Sequence, residues 1–322
     1  MNKNNSSVCT VFEGHYHKGA AVLINSLYAN GFEGTLWAGI KGDLPPWAVI
    51  SAKDGDIEIM NVTENLSINF IRFPKNVYLP WIKPDLMLDM FDKYEPESER
   101  VFYLDCDIIV KCHFSYFEKW SQFGVMMCED VNSPVSLTNP LRYEWVEYFK
   151  KFGINVRRDT SQYVNGGFLG LDRKHKKFLK TWGRVQDLVL EDLNAIKVDL
   201  HIVTKVSDKV SGLKDRNYMF YRTDQDALNV AKDSTDEPIS VADRSAMDFG
   251  GVGFIMSHAI GTSKPWVKNF LRYVFKKGQR PKTADRVFFD YIDSPISLYS
   301  KRERFMKKTH LKLATALGRV FG

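Results

Sequence analysis

The sequence predicts an α/β protein: a single Rossmann-like mixed sheet flanked by helices, with a basic helical tail at its C-terminal end. Two observations carry this prediction. Strand and helix signals alternate from the start of the chain, as they do in units that wind a parallel sheet. Further on, a short apolar run rich in aromatic and β-branched residues spans 101–110, reads as a buried strand, and carries Asp105 and Asp107 near its end. With 322 residues, 44% hydrophobic and 26% charged, the chain has ample material for a core.

Taken in order, residues 8–12 predict a first strand, followed by the polar stretch Glu13-Gly14-His15-Tyr16-His17-Lys18-Gly19. A helix follows with Ala21, Ile24, Leu27 and Tyr28 on its inner face and Gly31 as its stop. Residues 35–40 and 57–62 predict strands, and Pro45-Pro46-Trp47 begins a short helix between them. No GxGxxG opens the first helix, which argues against a dinucleotide cofactor, and no GxxxxGK[ST] is present, which removes the P-loop enzymes. Lys83 is expected just outside a helix over 85–94, whose N-terminus with a lysine beside it suits an anion. An exposed loop lysine is the alternative.

After the aspartate strand, a helix from Ser115, a strand over 124–128, and a short helix with Trp145, Phe149 and Phe152 on one face are expected. The segment 130–162 carries mixed turn and helix signals. Asn165-Gly166-Gly167 then lets backbone approach a ligand closely before an apolar run returns to the sheet. Residues 175–193 form a long helix, the signal over 197–221 is weak, and Thr223-Asp224-Gln225-Asp226 opens another helix. Acids in a first turn serve capping and the helix dipole, which explains one aspartate better than both and the glutamine. A strand over 252–256 delivers His258, Gly261 and Lys264-Pro265-Trp266 in a loop, and 272–299 reads as helix then linker, broken at Gly278 and Pro281.

The two aspartates set the chemistry. With a period of 2, Asp105 and Asp107 point to the same side of a strand, about 7 Å apart. Such carboxylates repel unless a cation lies between them, and a divalent ion with oxygen ligands, Mn²⁺ or Mg²⁺, would also hold phosphates. The alternative is that one aspartate caps the next element and the other faces water. His258 stands with Gly261 and Lys264 in one stretch, so a metal ligand, an approachable backbone and a cation come together; a structural histidine is the alternative.

Net charge is +6, and Lys301, Arg302, Arg304, Lys307, Lys308, Lys312 and Arg319 against Glu303 account for all of it. Residues 1–300 therefore balance to zero. The basic charge is an appendage, unlike the basic folded face of a nucleic-acid reader, so no nucleic-acid partner is expected. Cys9, Cys106, Cys112 and Cys128 form no CxxC pair and read as reduced thiols. The first residues lack the layout of a signal peptide, and no apolar run approaches the ~18 residues of a membrane span. A cytoplasmic protein is expected. In the tail, Phe305, Thr309, Leu313, Leu317 and Val320 give a partly apolar face beside a basic one, as in a helix lying on an anionic membrane. The expected place is then the inner face of a membrane, contacted through 301–322; a solvated tail is the alternative.

Four motifs together resemble the retaining glycosyltransferases of family 8, which have the GT-A fold and include bacterial lipopolysaccharide galactosyl- and glucosyltransferases and glycogenin. They are Asp105-Cys106-Asp107 after an apolar strand, Asn165-Gly166-Gly167, Asp224-Gln225-Asp226, and the HxxGxxKPW element from His258 to Trp266, in the family's order. The resemblance implies a GT-A catalytic domain over 1–266, with a nucleotide-binding half at 8–130 and an acceptor and sugar half at 131–266. Residues 267–300 are then helix and linker and 301–322 an amphipathic tail.

The resemblance further implies that Asp105, Asp107 and His258 ligate Mn²⁺, or Mg²⁺, on the diphosphate of a UDP-sugar. Lys83, Gly166, Gly167, Gly261 and Lys264 would bind the donor, and Asn165, Asp224 and Gln225 would face its sugar and reactive carbon. Thr10, Glu13, His15 and Tyr16 are candidates for the uridine, although Glu13-Gly14-His15-Tyr16 stands where the family commonly has an acidic-acidic-Asn-Tyr run. The implied activity is transfer of a hexose, galactose or glucose, to a glycan or glycolipid in surface polysaccharide synthesis, and with the membrane-contacting tail the expected acceptor is a lipid-linked glycan. A non-catalytic sugar-nucleotide or glycan-binding relative is one alternative. A DxD phosphatase of the haloacid dehalogenase type is another, disfavoured because Ile109 stands where those enzymes usually carry Thr or Ser.

Overall fold

The computed structural model describes residues 5–192, 197–198, 201–202 and 218–321. In chain order, β1 (Ser6–Glu13), α1 (His17–Ala29), β2 (Gly34–Lys41), β3 (Ala52–Asp54), β4 (Ile57–Asn61) and β5 (Leu66–Phe73) come first. Next are α2 (Lys83–Asp89), β6 (Arg100–Leu104), β7 (Ile108–Val110), α3 (Ser115–Trp120), β8 (Val125–Cys128), α4 (Pro140–Lys150), β9 (Phe168–Asp172) and α5 (Lys177–Asp192). Two short strands, β10 (Lys197–Val198) and β11 (His201–Ile202), pair with each other. The chain continues with α6 (Thr223–Ser234), β12 (Ile239–Ala242), β13 (Met256–His258), α7 (Phe270–Lys277), α8 (Thr283–Phe288) and α9 (Lys301–Phe321).

The main sheet has nine strands in the order β12-β8-β9-β6-β1-β2-β5-β4-β3. Strand β1 runs parallel to both β2 and β6, whereas β9 is antiparallel to β6 and β8, and β4 to β5. The sheet is covered on both faces, which explains the near-continuous apolar runs of its central strands. Cys9, Val11, Val101 and Tyr103 point into one core with Trp81, Trp145 and Trp182, whereas Val8, Phe12, Phe102 and Leu104 point into the other with Leu23, Leu36 and Phe117. A third cluster joins Val22, Ile109 and Trp266 to α7, α8 and α9 through Val274, Phe288 and Leu311. Strands β2 and β6 lie on opposite sides of β1, so the carboxyl ends of β1 and β6 flank a topological switch point, where ligands of open α/β sheets bind.

Several expectations are corrected. The strand read over 101–110 stops at Leu104, because Asp105, Cys106 and Asp107 form a turn closed by the Ile108 N–H on the Asp105 carbonyl (2.9 Å); β7 then pairs antiparallel with β13, outside the main sheet. Lys83 is the first residue of α2, followed by Pro84, and it is buried rather than outside the helix because two carboxylates receive it. Pro45-Pro46-Trp47 makes a turn without a helix, since the Trp47 indole is drawn to the His17 carbonyl (3.0 Å). Tyr28 lies on the exposed side of α1. The strand expected over 252–256 forms only from Met256, with Val252 and Phe254 in solvent and no strand to pair with. Residues 267–300 hold two helices packed in the third cluster, because Phe270, Val274, Phe288 and Phe289 bury against Trp266. Strand β5, an eight-residue central strand, went unread. The signal for it was an alternation in Leu66, Ile68 and Phe70.

Helix α1 presses directly on the aspartate turn. A Cβ on Gly19 would stand 2.5 Å from the Cys106 carbonyl oxygen and 2.7 Å from the Trp266 ring. Neither neighbour is a flexible tip. Gly19→Ala is therefore expected to lower stability by roughly 2 kcal/mol, the usual scale for overpacking, measured as a shift of the urea midpoint; an unchanged midpoint would contradict this packing.

Candidate active site

Two strand registers assemble the site. Pairing of β6 with β9 sets Leu104 opposite Phe168, so the next residue, Asp105, meets Gly167, whose carbonyl accepts its N–H at 2.7 Å. Pairing of β7 with β13 sets His258 opposite Ile108 and brings its ring to Asp107, Nε2 to Oδ1 at 3.1 Å. One ligand atom each from Asp105, Asp107 and His258 lie within 4.8 Å of one another. The turn achieves this closeness; an extended strand would hold the two carboxylates apart.

Helix α6 is fastened beside them. The Asn229 side chain accepts from the Val164 N–H (2.8 Å) and donates to its carbonyl (2.9 Å), which locks the first turn of α6 onto Asn165-Gly166-Gly167. Gln225 Oε1 accepts from the Gly166 N–H at 3.1 Å. Asn165 is fully engaged: its amide donates to Asp130 (2.7 Å) and its oxygen accepts from the Gly167 N–H (2.9 Å). A Cβ on Gly167 would stand 2.6 Å from His258 Cε1 and 2.9 Å from Asp105 Oδ2, so only glycine fits against these side chains.

Charges are balanced in two sets. Lys83 Nζ lies 3.3 Å from Asp105 Oδ1 and 3.1 Å from Asp224 Oδ2, and donates to the Gly166 carbonyl at 2.8 Å. Burial by itself would lower its pKa, but Asp105 and Asp224 outweigh it and hold it raised. Asp224 is raised by burial, an effect that Lys83 opposes. Asp107 is paired with Lys264 and with His258; burial would raise its pKa, but these two partners hold it well below the usual carboxylate range. Tyr103 donates its hydroxyl to Asp105 Oδ1 at 2.7 Å and so fixes that carboxylate's orientation.

These groups line one cavity of about 550 Å³. Of the residues expected from the sequence, Glu13, Tyr16, Lys83, Asp105, Asp107, Asn165, Gly166, Gly167, Asp224, Gln225, His258, Gly261 and Lys264 all line it. Thr10 and His15 do not. Thr10 is buried within β1, and His15 Nδ1 accepts from the Trp266 indole at 2.8 Å, bracing the loop that carries Lys264. Sequence reasoning missed Tyr78, Tyr103, Asp130 and Arg222 among the lining residues. Tyr103 was findable, since it precedes Asp105 by two residues, the strand period. Asp226 faces away from the cavity into the protein, where its oxygens accept from the Tyr163 hydroxyl (2.6 Å) and the Arg222 N–H (2.7 Å).

The donor set fits a divalent cation. Two carboxylates and an imidazole suit Mn²⁺ or Mg²⁺, and the Gly167 cradle keeps His258 and Asp105 close without a side chain between them. Asp105, Asp107 and His258 could hold such an ion.

No protein-family model matches the sequence, and no curated protein does. Among solved structures, the chain is similar to the apo form of the bifunctional glycosyltransferase WbbM, at 12% identity and a TM-score of 0.52, over 95% of this chain and 52% of that one. This chain thus spans about half the length of WbbM. It is also similar to an active-site mutant of LgtC, at 19% identity and a TM-score of 0.48 over 92% of this chain and 99% of that one. For the galactosyltransferase LgtC in complex with donor and acceptor sugar analogs, identity is 17% and the TM-score 0.47, over 93% and 99% of the two chains. The likeness to WbbM concerns the fold: a GT-A-like α/β fold, with the mixed sheet flanked by helices that the sequence predicts.

Asp226 makes stability depend on pH. Burial pushes its pKa up to about 6, against the Tyr163 and Arg222 hydrogen bonds that pull it down. The folded state thus binds the proton more tightly than the unfolded chain, so this contribution is full below about pH 4 and is lost as pH rises through about 6. Relative to Asp226→Asn, the parent should lose about 3 kcal/mol between pH 4 and pH 7, read by urea unfolding at both pH values. A difference that is the same at both would refute the buried, proton-holding carboxyl.

Proposed function

We propose that the chain is a metal-dependent, retaining glycosyltransferase that moves a hexose, galactose or glucose, from a UDP-sugar to a glycan or glycolipid acceptor in surface polysaccharide synthesis. The observation that supports it best is the meeting of Asp105, Asp107 and His258 in the cavity that also holds Lys83, Lys264, Asp224 and Gln225. Mn²⁺, or Mg²⁺ in its place, would supply Lewis-acid charge to a diphosphate there.

The chain's own groups account for the other requirements of the reaction. Lys264 places a cation beside Asp107 where negative charge grows on the departing diphosphate. Gly261, at φ 94°, offers backbone with no side chain in the way of those phosphates. Glu13 and Tyr16, at the end of β1, line the part assigned to the nucleotide, and Asn165, Asp224 and Gln225 the part assigned to the sugar. Gln225 is an amide and forms no stable glycosyl ester, and Asp224 is tied to Lys83. This favours attack of the acceptor hydroxyl on the same face from which the diphosphate leaves. The bond from the anomeric carbon to the acceptor oxygen forms as the bond to the phosphate oxygen breaks, and that phosphate oxygen takes the acceptor's proton. Asp224 steadies the oxocarbenium-like carbon.

We further propose that α9 lies on an anionic membrane at its cytoplasmic face. Leu311 and Ala314 pack inward, leaving Phe305, Met306, Leu313 and Val320 exposed beside Lys308 and Lys312. None of the described helices is long and apolar enough to cross a membrane.

Purified protein incubated with a panel of nucleotide sugars should slowly hydrolyse one UDP-sugar when Mn²⁺ is present. Asp107→Asn and His258→Ala should each lower that rate by about 100-fold or more. UDP binding with no turnover of any donor, acceptor included, would favour the binding-protein alternative instead. For the membrane contact, phosphatidylglycerol vesicles should sediment the parent and retain several-fold less of Phe305→Glu/Leu313→Glu; equal retention would sink it.

A further inference from the structure

A second cavity, of about 550 Å³, shares His258, Ile260 and Val131 with the first. Its remaining wall comes from the stretch before β13 at Asp248 and Phe249, from Lys268, from the loop after α7, from α8 and from the end of α9. Both carboxylates in this wall are already paired: Asp285 with Lys268 at 2.5 Å and Asp248 with Lys111 at 2.8 Å. Arg280, Lys282, Arg286 and Arg319 also line it, and among the described residues none of these four pairs with a carboxylate.

This gathering of cations is built by close packing. Gly318 of α9 lies against the loop so tightly that a Cβ there would stand 2.6 Å from Arg280 Cβ and 3.0 Å from its Cα. Arg280 and Arg319 both line the cavity, so their like charges face one space and repel unless an anion lies between them. Two guanidinium groups offer flat forks of N–H donors, which match phosphate oxygens in pairs. The cavity also adjoins the metal-ligand set, since it meets the first cavity at His258, Ile260 and Val131.

Resting on the glycosyltransferase reading above, we propose that this cavity binds a phosphate group carried by the acceptor, so that the acceptor is a phosphorylated sugar rather than a neutral glycan. The phosphate is held by Arg280 and Arg319, with Lys282 and Arg286 adding charge, and the sugar hydroxyl to be glycosylated points past Ile260 toward the donor. The four cations then have a second role beyond solubility: they select the acceptor by charge and orient it.

Isothermal titration of the full chain tests this, with UDP and Mn²⁺ saturating the donor cavity and glucose 1-phosphate as the probe. Glucose 1-phosphate should bind at least about tenfold more tightly than glucose. Arg280→Ala/Arg319→Ala, both exposed positions, should weaken it by about tenfold or more while changing UDP affinity less than about twofold. Equal binding of glucose and glucose 1-phosphate, or a double variant that binds like the parent, overturns the proposal. So does inorganic phosphate binding as tightly as glucose 1-phosphate, since the cavity would then hold a free anion with no grip on the sugar. UDP titrated with Mn²⁺ alone reports on the donor reading separately. Its failure removes the transferase proposal, whereas loss of sugar-phosphate binding in the double variant concerns this cavity only.

Discussion

Asp107 is a carboxylate taken almost wholly out of water, at 6% exposure. An ion in that position costs several kcal/mol unless partners of opposite charge and good geometry receive it. Its partners are Lys264 and His258, which follow it by 157 and 151 residues. The turn at Cys106, the ladder between β7 and β13, and the loop carrying Lys264 must therefore form together or leave a buried charge unpaired. Trp266 completes the arrangement by packing on Tyr16 and Phe288, which ties the loop to the start of α1 and to α8. Much of the C-terminal third is held to the sheet through this one carboxylate and its neighbours.

The same logic operates on the other side of the cavity. Lys83 reaches Asp105, Asp224 and the Gly166 carbonyl, so α2, the end of β6 and the start of α6 share one ammonium. Lys83 lies between Asp105 and Asp224, which would otherwise repel, and Lys264 lies beside Asp107, so the three acids line one space with a cation next to each. For the proposed reaction, preorganisation of this kind would place charge before a substrate arrives, so that little reorganisation is required when negative charge develops. Further hydrogen bonds hold these side chains and their loops in place: Tyr103 on Asp105, Asn229 on the Asn165 turn, His15 on Trp266.

Helix α9 joins two different tasks in one element. Its inner side is small and apolar, with Leu311 and Ala314 buried and Gly318 in backbone contact with the loop at Arg280. Its outer side keeps Phe305, Leu313 and Val320 in solvent. Amphipathic helices in globular proteins present one apolar face to the core; this one presents apolar side chains on both, and separates them with lysines and arginines. The consequence is a helix that is anchored and also has something left to bind.

Much of this was legible in the residues. Alternating strand and helix signals predicted the layered α/β plan, and the aspartate pair, the Asn-Gly-Gly stretch, Asp224 with Gln225, and His258, Gly261 and Lys264 lie along one cavity, each motif being local and chemically unusual. What stayed hidden depends on register and burial. Strand periodicity could not show that the chain turns at Asp105, since a turn and a strand end read alike when flanked by apolar residues on both sides. Nor could it tell that Asp226, two residues from Asp224, points into the core toward Tyr163, or that His15 braces an indole and Lys83 lies inside its helix. The sequence by itself determined which side chains carry charge and which segments must be buried. Only the tertiary structure decided which of those charges meet, because their meeting is set by hydrogen-bonded registers between strands far apart in the chain, and local periodicity holds no information about them.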